Sequence, residues 1–214
     1  MNELISQIAL WALPVLFAIT LHEAAHGYVA RYFGDNTAAL AGRISLNPIR
    51  HIDPIGTIIV PIAIILLSSA SGQLFIFGWA KPVPVNFNNL RDPKNNMRWV
   101  AAAGPFVNFL MAAGWAAITW AMLSTPHSQF TEALYLMALA GVQINIVLMV
   151  LNLLPIPPLD GSRIVVSLLP IRYAIPYMRL EPYGFFILLL LLVSGALGYL
   201  LFPFIRFFQQ LLIG

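Results

Sequence analysis

The chain has no cysteine, and among its 214 residues only 8 are acidic and 11 basic. Without thiols there is no disulfide, no thiolate metal site and no cysteine nucleophile, so any metal has to be held by His, Asp or Glu. The shortage of charge excludes an ordinary soluble domain, in which about 25% of residues are charged. Here 9% are charged, 60% are hydrophobic and the mean hydropathy is +0.84, the composition of a chain that lives in lipid. Clusters of one sign are missing too. Lys and Arg fall singly between apolar runs, so the net charge of +3 reads as a set of topology determinants rather than a surface for nucleic acid. No internal repeat is visible, which weighs against the paired half-units of a transporter. No polar stretch is long enough to fold separately, so residues 1–214 are expected to form a single membrane-embedded domain. The opening "MNEL" lacks the basic start of a signal peptide and the run behind it is too long for one, so the first segment is expected to stay attached as a helix.

What is present is a series of apolar runs. About 20 such residues cross a bilayer, and residues 5–33, 99–123, 134–154 and 185–202 qualify, the last with room to continue through "FPFIRFFQQLLIG". Positive-inside bias places Arg31, Arg43 and Arg50 in the cytoplasm. "NLRDPKNNMR" and "SRIVVSLLPIRYAIPYMR" join them with three basic residues each, while "STPHSQFTE", with none, belongs outside. Residues 55–79 are apolar but have basic flanks on both sides. A single crossing cannot satisfy that, so the segment is expected to dip in and return near "SSASG", with a full crossing against the bias as the alternative. Ahead of it, Ile44 and Leu46 alternate with Arg43, Ser45 and Asn47 as a short strand would. The expected fold class is an all-α polytopic membrane protein with about four to six membrane segments and a short re-entrant or β-like element beside the active site.

The first apolar run contains "LHEAAHGYVA", two histidines and a glutamate where ionisable groups are costly and default to function. On a helix, residues four apart share a face, so His22 and His26 can converge on one ion with Glu23 beside them. H-E-x-x-H is metal-ligand spacing, two imidazoles and a general base, and it points to zinc. A catalytic zinc needs a third protein ligand and an open position. Asp160 is the favoured candidate, because in "NLLPIPPLDG" three prolines break the helix and leave a carboxylate beside apolar surface; His51 or Asp53 of "RHIDP" is the fallback. An amide donor for a developing oxyanion is offered by Asn152 or Asn108. Asn145 lies seven residues before Asn152 on the same stripe, and all three could instead serve as interhelical hydrogen-bonding groups.

"HEAAH" on the first helix, "AGPFVN" opening a later span and "NLLPIPPLDG" ending the next resemble the motif set of the site-2 protease family, the intramembrane zinc metalloproteases; "GRISLNP" and "GWAKPVPVN" resemble its compact members. The resemblance implies one zinc ion per chain held by His22, His26 and Asp160, Glu23 as catalytic base, Asn152 near the oxyanion or substrate backbone, and Asn108 as the asparagine of a G-x-x-x-N motif. It also implies peptide-bond hydrolysis within or next to transmembrane segments of membrane-protein substrates. The compact form is expected to lack a PDZ or CBS domain and to sit in the cytoplasmic membrane with its site towards the cytoplasm. A catalytically inactive scaffold or a metal-binding transporter is the competing reading.

The chemistry follows from the residues alone. A zinc ion brings the pKa of water from about 15.7 to about 7 and polarises a carbonyl, and a neighbouring Glu can carry the proton to the leaving amine. A helical substrate must first unwind, and the extended "KPVPVN" or "GRISLNP" could accept its freed backbone by β-addition.

Overall fold

The computed structural model describes residues 2–59 and 81–214. Among these the regular structure is helical and no strand occurs. Helix α1 runs Asn2–Tyr32, about 46 Å at 1.5 Å per residue and so longer than a bilayer core of about 30 Å. A short helix, α2 (Thr37–Leu40), follows it. Irregular backbone with a 3-10 turn at Pro48–His51 and a π turn at Pro54–Ile59 comes next. The dip expected within residues 55–79 lies, beyond residue 59, outside the described residues. A 3-10 turn at Phe87–Asn89 then leads into α3, Pro93–Leu123.

Helix α3 begins where the chemistry of its first turn dictates. Asp92 caps it, accepting the amide of Asn95 at 3.2 Å, and Pro93 takes a first-turn position that needs no N–H. Helix α4, Gln129–Asn152, opens on a reciprocal cap between Ser128 and Thr131. The chain then passes through the proline-broken stretch into α5 (Asp160–Leu168), α6 (Ile171–Met178), a 3-10 turn at Glu181–Tyr183, α7 (Gly184–Val193) and α8 (Ala196–Ile213). Helices α1, α3, α4 and α8, together with the segment Ile171–Val193, are long and apolar enough to cross a membrane, within the expected four to six.

Helix α3 is the hub, packing against α1, α4, α5 and α8. Its contact with α4 is close because small residues face it: Ala112 and Ala116 meet Val142, Ile146 and Met149, with Leu197 and Leu201 of α8 closing the layer. Packing of this kind drives helix association in lipid, where burial of apolar area gives little.

Two expectations are corrected here. The run 185–202 is not one span: Gly195 takes a φ of 75°, the left-handed region open to glycine, and separates α7 from α8. The strand at Ile44 and Leu46 does not form either, because the backbone around it is satisfied otherwise. The amide of Arg43 donates to Ala38 O, that of Asn47 to Ser45 Oγ, and Ser45 O accepts from the ring of His51.

Candidate metal centre

The two histidines of α1 lie one turn apart and both face α3. Room for them exists because residue 104 has no side chain. A Cβ there would lie 2.5 Å from His22 Cε1 and 2.5 Å from His26 Nε2. One residue on, Pro105 cannot donate to the carbonyl of Ala101, which loosens the α3 ladder where the rings press against it.

Each ring is oriented through its Nδ1. His26 Nδ1–H donates to the carbonyl of Val100 at 2.7 Å, and a carbonyl can only accept. His22 Nδ1–H donates to Asn108 Oδ1 at 2.5 Å. The orientation of that amide is set in turn: Asn108 Nδ2 donates to Asn145 Oδ1 at 2.9 Å and to Ala18 O at 3.3 Å, while Asn145 Nδ2 donates to Gly141 O at 2.8 Å. A buried amide chain thus runs from α4 through α3 to His22 on α1. With both Nδ1 atoms committed as donors, both Nε2 atoms present lone pairs.

Those lone pairs meet a third. Asp160, the first residue of α5, sends Oδ2 to 3.2 Å from His22 Nε2 and 3.3 Å from His26 Nε2, and the two Nε2 atoms are 3.1 Å apart. Helix α5 is held for this by packing on α3, by an ion pair between Arg163 and Glu181, and by Tyr177 Oη–H donating to Pro155 O at 2.7 Å. Asp160 Oδ2 is buried with no hydrogen-bond donor of its own. Three electron-pair donors at this separation repel one another unless a cation lies between them. Zinc fits: bonds of about 2.0–2.1 Å in tetrahedral geometry put donors about 3.3–3.4 Å apart. Among the described residues no fourth His, Asp or Glu joins the group, so one corner is left for solvent or substrate.

The other residues singled out from sequence fall around this centre. Glu23 is half-buried, and its Oε2 accepts the amide of Val83 at 2.7 Å. Among the described residues His51 and Asp53 are not part of the donor group that Asp160 joins. His51 donates to Ser45 O, and Asp53 caps the amides of Ile55 and Gly56. Asn152 donates to Leu148 O at 3.0 Å with one amide hydrogen, leaving the other for a partner. Asn108 has both amide hydrogens engaged, on Ala18 O and Asn145 Oδ1, and the atom it turns to His22 is an acceptor. Its contact with His22 is the one that orients that ring. The 81–86 segment is anchored inward by the amides of Lys81 on His51 O, Val83 on Glu23 and Asn86 on Asp35.

Sequence reasoning missed the Val100 carbonyl, which no pattern announces. It also missed the purpose of the Gly104–Asn108 spacing, which was legible as a small and a polar residue on one helical face.

A protein named "Putative zinc metalloprotease YwhC" from Bacillus subtilis is 36% identical over 201 residues, covering 91% of this chain and 84% of its own length. The chain belongs to peptidase family M50, the site-2 proteases. The family model itself matches residues 121–195, which include all of α4, the proline-broken turn and Asp160. Another relative of the M50 chain, Rip2 of Mycolicibacterium smegmatis, is 28% identical over 193 residues, 90% of this chain and 70% of its own. Rip2 of Mycobacterium tuberculosis is 31% identical over 146 residues, 68% of this chain and 52% of its own. Both Rip2 proteins also carry a zinc metalloprotease name. No solved structure matches the chain. The cofactor of this M50 protein is zinc, and the His22, His26 and Asp160 group is able to bind one such ion.

Proposed function

We propose that this chain is a zinc metalloendopeptidase that cuts peptide bonds within or next to transmembrane segments of membrane-protein substrates, with His22, His26 and Asp160 as metal ligands and Glu23 as base. The observation that carries the reading is the convergence of a carboxylate, 134 positions beyond His26 by numbering, on two imidazoles of a membrane helix with one corner left open.

When bound, zinc supplies Lewis acidity and brings the ionisation of water towards neutrality. The rest is the work of side chains. His22 and His26, fixed by Asn108 and Val100, present Nε2 without rearrangement. Glu23 has Oε2 held by the Val83 amide, which leaves Oε1 to take a proton from the attacking water and return it to the leaving amine. The spare amide hydrogen of Asn152 is the donor for the oxyanion. In this reading the whole chain is a single domain of the cytoplasmic membrane, and the two histidine ligands lie in the half of α1 that carries Arg31 in its last turn, on the cytoplasmic side by the positive-inside rule.

Replacement of Glu23 by Gln in purified, lipid-reconstituted protein is the test. Full zinc content with cleavage of a membrane-protein substrate abolished supports the reading; unchanged cleavage overturns it, and a metal carrier would keep its flux. Asp160→Ala is expected to lower zinc stoichiometry and affinity together, and a variant that keeps both removes Asp160 as a ligand.

A further inference from the structure

Just past the C-terminal end of α1, a second concentration of polar groups has no part in the metal centre. A cavity of about 590 Å³ opens there, lined among others by Arg43, Arg50, Lys81, Leu40, Ile49 and Ile52. The left-handed turn at Gly42, φ 62°, follows α2, lines the cavity and aims its carbonyl at Arg50 Nη1, 2.6 Å away. Arg43 Nη2 donates to Lys81 O at 2.8 Å and to Pro82 O at 3.4 Å, so the guanidinium is fixed in place while its buried Nε has no partner.

Three cations therefore share one cavity, and among the described residues no carboxylate lines it or pairs with any of them. Residues 60–80 contain no Asp or Glu that could do so. The rim is apolar and open, with Leu40 88% and Ile49 74% exposed. Cations in a cavity with exposed aliphatic side chains beside them, at the end of a membrane helix, are complementary to a molecule with a phosphate at one end and hydrocarbon at the other.

We propose that this cavity is a binding site for the phosphodiester headgroup of an anionic phospholipid, held by Arg43, Arg50 and Lys81 with its chains against Leu40 and Ile49. The site is independent of the hydrolytic reading and makes no use of the zinc ligands.

The test is native mass spectrometry of the full chain in neutral detergent, titrated with phosphatidylglycerol, phosphatidylcholine or inorganic phosphate. Saturable retention of phosphatidylglycerol over phosphatidylcholine is expected. Each basic residue near an anionic lipid surface is worth about fivefold, so Lys81→Gln should weaken binding about fivefold and Lys81→Gln with Arg50→Gln about 25-fold. Lys94→Gln, in the first turn of α3, should change nothing. Because Arg50 also ties Gly42, the single Lys81→Gln variant decides the matter if the double variant does not fold. Wild-type phosphatidylglycerol binding by Lys81→Gln, or equal weakening by Lys94→Gln, overturns the proposal. Inorganic phosphate that saturates the site and displaces the lipid at equal concentration overturns the assignment to lipid, whereas failure to displace it supports that assignment.

Discussion

Substitution of Asn108 separates two roles that an asparagine near a metal centre can play. In Asn108→Leu the His22 Nδ1–H loses its acceptor at 2.5 Å, and the ring loses the constraint on its tautomer and tilt. Loss of such an outer partner weakens metal binding about 10–100-fold, about 1.4–2.7 kcal/mol. The same change strips Asn145 Oδ1 of its donor, and an unsatisfied buried acceptor costs about 1–3 kcal/mol of fold stability. Asn108→Asp keeps an acceptor for His22 but gives up both donors. It should therefore hold zinc nearly as tightly as the parent while losing stability on the Asn145 side. Zinc occupancy against a graded metal buffer, measured with thermal unfolding on the same samples, reads both effects, and activity is then taken at saturating zinc. If Asn108→Leu kept wild-type zinc affinity while kcat fell about 10²–10³-fold, the loss expected for an oxyanion donor, the positioning role would be refuted.

Gly104→Ala would drive a methyl to 2.5 Å from ring atoms of both histidines. Overpacking of this kind costs about 1–3 kcal/mol, and here it should fall on zinc affinity, as elemental analysis after dialysis against chelator would show. Asp35 is fully buried at the end of α1. Burial pushes its carboxyl up, but donors from Thr37, Asn86 and Asn89 outweigh this and hold it below the usual carboxylate range. Its stabilisation is thus complete above an unfolded value of about 3.9 and is lost as pH falls through the lower folded value. Asp35→Asn should lower the melting temperature at neutral pH and flatten its decline in acid; an acid limb identical to the parent's would count against this assignment.

The group of donors that could hold an ion was legible because its chemistry is local. Two histidines four apart define a face with no knowledge of neighbours, and a carboxylate behind three prolines stands out in a chain with so few charges. The role of Asn108 was not legible, since an amide offers both donors and acceptors and only the partner amide of Asn145 decides which end meets His22. The break at Gly195 was within reach: Ser-Gly is a turn signal, but it sits inside a continuous apolar run whose hydropathy hides it. The alternation around Ile44 misled because period-two patterning says nothing about whether a partner strand exists. Arg43 and Arg50, read from sequence only for orientation, share one cavity with Lys81.

The donor group of two neutral imidazoles and one carboxylate also fixes an electrical balance. A divalent ion held there would leave one positive charge in surroundings of low dielectric, with the side chain of Glu23 as its neighbour. Ionisable groups inside a membrane are costly unless paired, and an ion held by this group would pair them. Because imidazole and carboxylate groups bind a metal in their deprotonated forms, uptake of an ion there would release protons and make occupancy depend on pH.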